Sequence, residues 1–186
     1  DTSLLADTMA AGGVTPGTAA RLLGHVQAAE AAGAAMLLLT CTSMGEGMAH
    51  VRNLTTLPTL CITEPLVEEA LDLGRRVGVV GTLPTSPAQI IAPLLAAAAK
   101  RGLGEEDLEI HISVVEEAFR ARGRGDTATH DAMVAEAALG LAGEHPLDCI
   151  IFAQASMSGT PADPGVPVLK LGPSAFRAAG EMLDRM

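Results

Sequence analysis

The residues best suited to chemistry lie in two short stretches that share one pattern. In the first, Leu37-Leu38-Leu39-Thr40 runs into Cys41-Thr42-Ser43-Met44; in the second, Ile150-Ile151-Phe152-Ala153 runs into Gln154-Ala155-Ser156-Met157. Laid over each other, they put Cys41 on Gln154, Ser43 on Ser156 and Met44 on Met157. A thiol between a strand end and a helix start meets backbone N–H groups that stabilise a thiolate, which makes Cys41 a candidate acid/base or nucleophile. The plainer reading is an inert buried cysteine, and Cys61 and Cys149, inside apolar runs, are read that way. Gln154 cannot shuttle protons, but its amide can donate hydrogen bonds to an oxyanion or enolate. Thr42 and Ser43 can cap the following helix or, with free amides beside them, hold a carboxylate.

The elements that must position these residues alternate between strand and helix. Asp1 to Gly13 reads as a loop with a short amphipathic piece. Thr15-Pro16 starts a helix to about Ala32, and Gly33 stops it. Residues 35–40 form a continuously apolar strand, the pattern of a parallel sheet covered on both faces. A strand over 59–62, a helix over 64–75 and a strand over 77–81 follow. Beyond that strand, Thr82-Leu83-Pro84-Thr85 is a loop whose Thr82 and Thr85 are either turn residues or substrate contacts. Ser86-Pro87-Ala88-Gln89 reads as a capping box for a helix to Lys100. A strand over 108–115 comes next, then an Arg120–Arg124 segment read as a solvated loop. Asp126 caps a helix over 127–141, with His130 read as a solvated first-turn residue. Strands over 148–153 and 166–171 and a helix over 173–185 complete an α/β chain with parallel sheets.

The repeat extends beyond the two central strands. Helix 15–32 matches helix 127–142, and each central strand is followed by a Pro-led strand and a helix with Pro near its start. Two pseudosymmetric lobes are expected, 1–63 with 173–186 and 64–172. Each would be a parallel sheet flanked by helices, with the active-site cleft expected between the lobes, at the carboxyl ends of the strands. The same alignment sets Asp1 near Val114, so the first lobe is expected to lack an N-terminal strand–helix–strand.

Bulk properties exclude several classes of function. The 186 residues include no Trp or Tyr and three Phe, so the core must be aliphatic. A formal net charge of −10 argues against nucleic acid or an anionic membrane as partner. Three cysteines without C-x-x-C spacing suggest neither a disulfide framework nor a metal pair, and favour a reducing, cytoplasmic setting. No apolar run is long enough to span a membrane. Ala/Leu-rich helices leave a homo-oligomer open.

At Thr40-Cys41-Thr42-Ser43, Thr82-Leu83-Pro84-Thr85 and Ala153-Gln154-Ala155-Ser156-Met157 the chain resembles the aspartate/glutamate/hydantoin racemase superfamily. The resemblance implies a cofactor-independent enzyme, without pyridoxal phosphate or metal, acting at the α-carbon of a small carboxylate. Two cysteines, one per lobe, would serve the two faces of that carbon. Cys41 matches the first, Thr42 and Ser43 the carboxylate-binding turn, and Thr82 and Thr85 the hydroxyl-bearing loop; Ser156 is placed like Ser43. Gln154 stands where the second cysteine is expected. One cysteine assisted by Gln154 suits a lyase, decarboxylase or isomerase. The alternatives are a true racemase with its second acid/base elsewhere, and a non-catalytic carboxylate-binding protein.

Overall fold

In the computed structural model, which describes residues 1–186 except for the side chain of Thr2, the chain divides into two compact units. One comprises Asp1–Thr63 with Ala175–Met186, the other Glu64–Ser174.

The first unit opens with α1 (Thr2–Ala10), where the sequence suggests mostly loop. The Asp1 carboxylate caps it by accepting the Leu4 N–H and is gripped by Arg21 at 2.7 Å. Burial of Leu4 and Thr8 then holds the helix down. The next helix, α2 (Pro16–Ala31), starts as its residues dictate: Thr15 and Thr18 form a reciprocal capping box across Pro16. Gly33, at φ +75°, takes the left-handed conformation that ends it. β1 (Leu37–Leu39) pairs in parallel with β2 (Thr59–Cys61), and α3 (Gly45–Val51) lies between them in sequence. Leu22, Val26, Met44, Met48 and Val51 build the unit's core. The three leucines of β1 are only half-buried, contrary to the double-sided cover their apolar run suggests. The reason is local: β1 has a strand on one edge only among the described residues.

The second unit is a four-stranded parallel sheet in the order β4-β3-β5-β6. Its strands are β3 (Arg76–Gly81), β4 (Glu109–Val114), β5 (Cys149–Phe152) and β6 (Val168–Lys170). Its helices are α4 (Glu64–Leu73), α5 (Ala88–Lys100), α6 (Glu116–Gly123) and α7 (Thr127–Glu144); α8 (Pro173–Asp184) closes the chain and belongs, from Ala175 on, to the first unit. On one face, Val80, Ile150 and Phe152 pack with Ala118 of α6 and with Val134, Ala138 and Leu141 of α7. Strand alternation turns Val79 and Ile151, both fully buried, to the other face.

Three further expectations are corrected by the structure. The Ser86 capping box does not form: Pro87 precedes α5 without a side-chain cap, and the Ser86 hydroxyl donates to the Leu83 carbonyl at 2.7 Å. The arginine-rich segment is the last turn of α6, where Arg120 pairs with Glu116 and Glu117. His130 is fully buried, not solvated. It belongs to the stripe His130, Val134, Ala138, Leu141, whose spacing of about four places it on the core-facing side of α7.

The turn from α4 to β3 rests on Asp148. Its carboxylate accepts the N–H groups of Arg75 and Arg76 at 2.9 and 3.0 Å and the Arg76 guanidinium at 2.5 Å. That guanidinium, followed by the two N–H groups, holds the carboxyl well below its ordinary value. A depressed carboxyl stabilises the fold above its unfolded-state value and loses that contribution as pH falls towards the folded one. Asp148→Asn is therefore expected to lower the melting temperature at pH 7, with the gap to the parent protein closing under acid. Gly74 comes so near that an added Cβ would lie 2.2 Å from the carboxylate. Gly74→Ala should thus be destabilising by about 1–3 kcal/mol in urea denaturation, the usual scale of overpacking.

Candidate functional site

The two stretches singled out by sequence fold into the same local structure. Cys41 follows β1 in extended conformation (φ −95°, ψ 113°) and precedes one 3-10 turn, Thr42–Met44. Gln154 follows β5 in extended conformation (φ −134°, ψ 143°) and precedes one 3-10 turn, Ala155–Met157. In each, the third turn residue donates its N–H back: Met44 to the Cys41 carbonyl at 3.3 Å and Met157 to the Gln154 carbonyl at 3.0 Å. Both methionines are buried, and each anchors its turn in its own unit's core. The aligned sequence pattern thus has a physical basis. An apolar strand supplies the rail, a methionine plug fixes the turn, and the residue between them is held at the carboxyl end of the strand.

In the first unit, Cys41 is half-buried against the core cluster, and Thr42 and Ser43 are half-buried in the turn after it. Cys61 and Cys149 are buried, and burial pushes the Cys149 thiol up to about 12. Brief treatment of the native protein with iodoacetamide should therefore label Cys41 alone, with Cys61 and Cys149 reacting only after unfolding. Peptide mass mapping before and after adding denaturant reads this directly.

In the second unit, the strand order places β3 and β5 side by side while their onward connections leave in opposite directions, to β4 and to β6. This is the topological switch point, where open parallel sheets bind ligands beyond their carboxyl ends. Val80 is the register partner of Phe152, so Thr82 and Gln154 lie two residues further along both strands. The last backbone bond between them runs from the Ala153 N–H to the Val80 carbonyl. Beyond it, the Gln154 side chain takes over: its Oε1 accepts the Thr82 N–H at 2.6 Å and the Thr82 hydroxyl at 2.8 Å. Thr82 is 1% exposed, whereas Gln154 is half-buried. Thr85 is exposed in the same loop and Ser156 half-buried in the 3-10 turn. An added Cβ on Gly81 would lie 2.2 Å from the Ser86 hydroxyl that closes this loop, so the residue beside Thr82 must be glycine for the loop to fold back.

Sequence reasoning missed the support beneath the Gln154 turn. Thr160 donates its N–H to the Met157 carbonyl at 3.0 Å and its hydroxyl to Asp131 at 2.6 Å. Lys170 donates to the Thr160 carbonyl at 2.6 Å, and Ser158 donates to the Leu171 carbonyl at 2.8 Å. The Asp131 carboxylate also meets Nδ1 of the buried His130 at 2.7 Å. Because a carboxylate only accepts, Nδ1 carries the proton in that bond. The Thr160 hydroxyl, more than His130, holds the Asp131 carboxyl below its ordinary range. The stripe spacing of His130 was the one sequence signal for this network; its central bond, from Thr160 to Asp131, joins residues 29 apart in the chain. Among the described residues, no group of three His, Cys, Asp or Glu side chains is placed to hold a metal, and no helix is long and apolar enough to cross a membrane.

The profile of the Asp/Glu/hydantoin racemase family matches residues 8–179, nearly the whole chain. The chain belongs to this family. No curated protein matches it in a sequence search. Among solved structures, it is similar to a glutamate racemase isoform from Bacillus anthracis, at 17% identity and a TM-score of 0.63 over 89% of this chain and 64% of that one. It is likewise similar to allantoin racemase from Klebsiella pneumoniae, at 16% identity and a TM-score of 0.66 over 90% of this chain and 66% of that one. Unliganded arylmalonate decarboxylase matches at 19% identity and a TM-score of 0.59, over 91% of this chain and 77% of that one. The chain therefore spans just under two thirds of the length of both racemases. At these identities the likeness is one of fold, an α/β architecture with parallel sheets flanked by helices.

Proposed function

We propose that this family member is a cofactor-independent enzyme acting at the α-carbon of a small carboxylate, with Cys41 as its single acid/base and Gln154 as a hydrogen-bond donor to the intermediate. The observation that carries the reading is the matched pair of strand-end turns, which hold a thiol in one unit and an amide in the other. With an amino-acid or hydantoin substrate, the Cys41 thiolate takes the α-proton and the electron pair passes into the adjacent carbonyl as an enolate. Return of the proton from the thiol restores both partners. With a malonate, the bond to one carboxylate breaks instead, carbon dioxide leaves with the enolate behind, and the Cys41 thiol protonates the carbon; solvent then reprotonates the sulfur. Either route develops negative charge on an oxygen, where an amide N–H of Gln154 is most effective. Thr42, Ser43, Thr85 and Ser156 supply the hydroxyls that bind the substrate's carboxylate.

The solved racemases favour a second reading, a true racemase whose second acid/base comes from a residue other than Gln154. Proton–deuterium exchange at the α-carbon in D2O, followed by NMR over a panel of amino acids, hydantoins and substituted malonates, tests the proposal. Exchange or decarboxylation that disappears in Cys41→Ser supports it. Turnover retained in Cys41→Ser contradicts it.

A further inference from the structure

We infer that Thr82 is a positioning residue that locks the Gln154 amide with its NH2 outward, so that this subsite recognises an anionic oxygen and rejects a hydrogen-bond donor. The inference rests on the proposed role of Gln154 and adds the orientation and polarity of its side chain. A glutamine amide can flip, and density alone seldom distinguishes its oxygen from its nitrogen. In this site the chemistry decides. A backbone N–H can only donate, so the atom 2.6 Å from the Thr82 nitrogen must be the amide oxygen. The Thr82 hydroxyl, 2.8 Å from the same atom, is the second donor. The Thr82 N–H is buried with its residue, at 1% exposure, so flipping the amide would set an NH2 against that donor and leave it without an acceptor.

The Thr82 N–H is the donor that the next rung of the β3–β5 ladder would have used, since the preceding rung is the bond from the Ala153 N–H to the Val80 carbonyl. Gln154 therefore replaces a sheet carbonyl, and its position is set by the ladder itself. Its Nε2 makes no hydrogen bond among the described residues, although Gln154 is half-buried at the switch point. Thr82 thus acts through Gln154, and its own hydroxyl is already engaged. Nε2 is complemented by a hydrogen-bond acceptor, and in the proposed reaction that acceptor is a carboxylate or enolate oxygen.

The test uses 15N-labelled full chain and malonate as an anionic probe. Gln154 side-chain signals are assigned by their loss in Gln154→Glu. Malonate is expected to shift the Gln154 NH2 pair, with its affinity weakened about three- to tenfold in Thr82→Val, the scale of one hydrogen bond, and restored in Thr82→Ser. The Thr82 amide proton should be protected from exchange in the parent and lose protection in Gln154→Ala. Three results would overturn the inference: no malonate-induced shift of Gln154, parent-like affinity in Thr82→Val, or no recovery in Thr82→Ser. Thermal melts of each variant separate these results from misfolding. Failure of the catalytic reading shows elsewhere, as turnover that survives Cys41→Ser, and leaves the malonate shifts unchanged.

Discussion

Cys41→Ala is expected to lower turnover by about 10²–10⁴-fold, the contribution of one positioned acid/base group, while leaving the fold intact. The thiol is half-buried at the rim of the first unit's core, so its removal opens little cavity. The turn it precedes is anchored by Met44, which the substitution does not touch. Cys41→Ser should be nearly as inactive, because a serine hydroxyl does not ionise in the working pH range. Steady-state rates beside urea melts decide the matter: equal stability with lost turnover is the expected pair of results. Equal loss of both would assign Cys41 to packing.

Gln154→Glu is the second large effect. The carboxylate has the same length and can accept both Thr82 bonds, so the turn and the sheet edge are expected to persist. What changes is the outward atom, from an NH2 that donates to an oxygen that carries charge. An enolate facing that oxygen loses a donor and gains a repulsion, and turnover should fall by about 10²–10³-fold, the scale of losing one oxyanion donor. The Thr82 amide proton should stay protected from exchange. Lost turnover with retained protection separates chemistry at Gln154 from its role in holding the sheet edge.

Much of this was legible in the sequence because it is local. Thr15-Pro16, Gly33 and Asp126 announce their helix ends through capping chemistry that involves only near neighbours. The apolar runs before Cys41 and Gln154 announce strands, and the aligned Met44 and Met157 betray the shared turn. What was not legible depends on distant partners. Ser86 has the spacing of a cap, but its hydroxyl is drawn back to Leu83 in a loop closed against Gly81. The segment 1–13 reads as loop until Arg21 is brought against Asp1. Thr82 and Gln154 are 72 residues apart, and no spacing rule joins them; the register of β3 on β5 does. Asp131, Thr160 and Lys170 escape a reading by sequence for the same reason, since each is an ordinary surface residue type until the sheet gathers them under one turn.

The most direct test of a single-acid/base enzyme is the stereochemistry of protonation. The measurement is decarboxylation in D2O of a prochiral disubstituted malonate bearing two different groups, with chiral analysis of the monoacid formed. One thiol serving one face of the enolate predicts a single enantiomer carrying one deuterium, with no product formed by Cys41→Ser. A racemic product from the parent enzyme would mean that a second acid/base works on the opposite face, and would contradict the role of Gln154 as a hydrogen-bond donor in place of a second proton carrier.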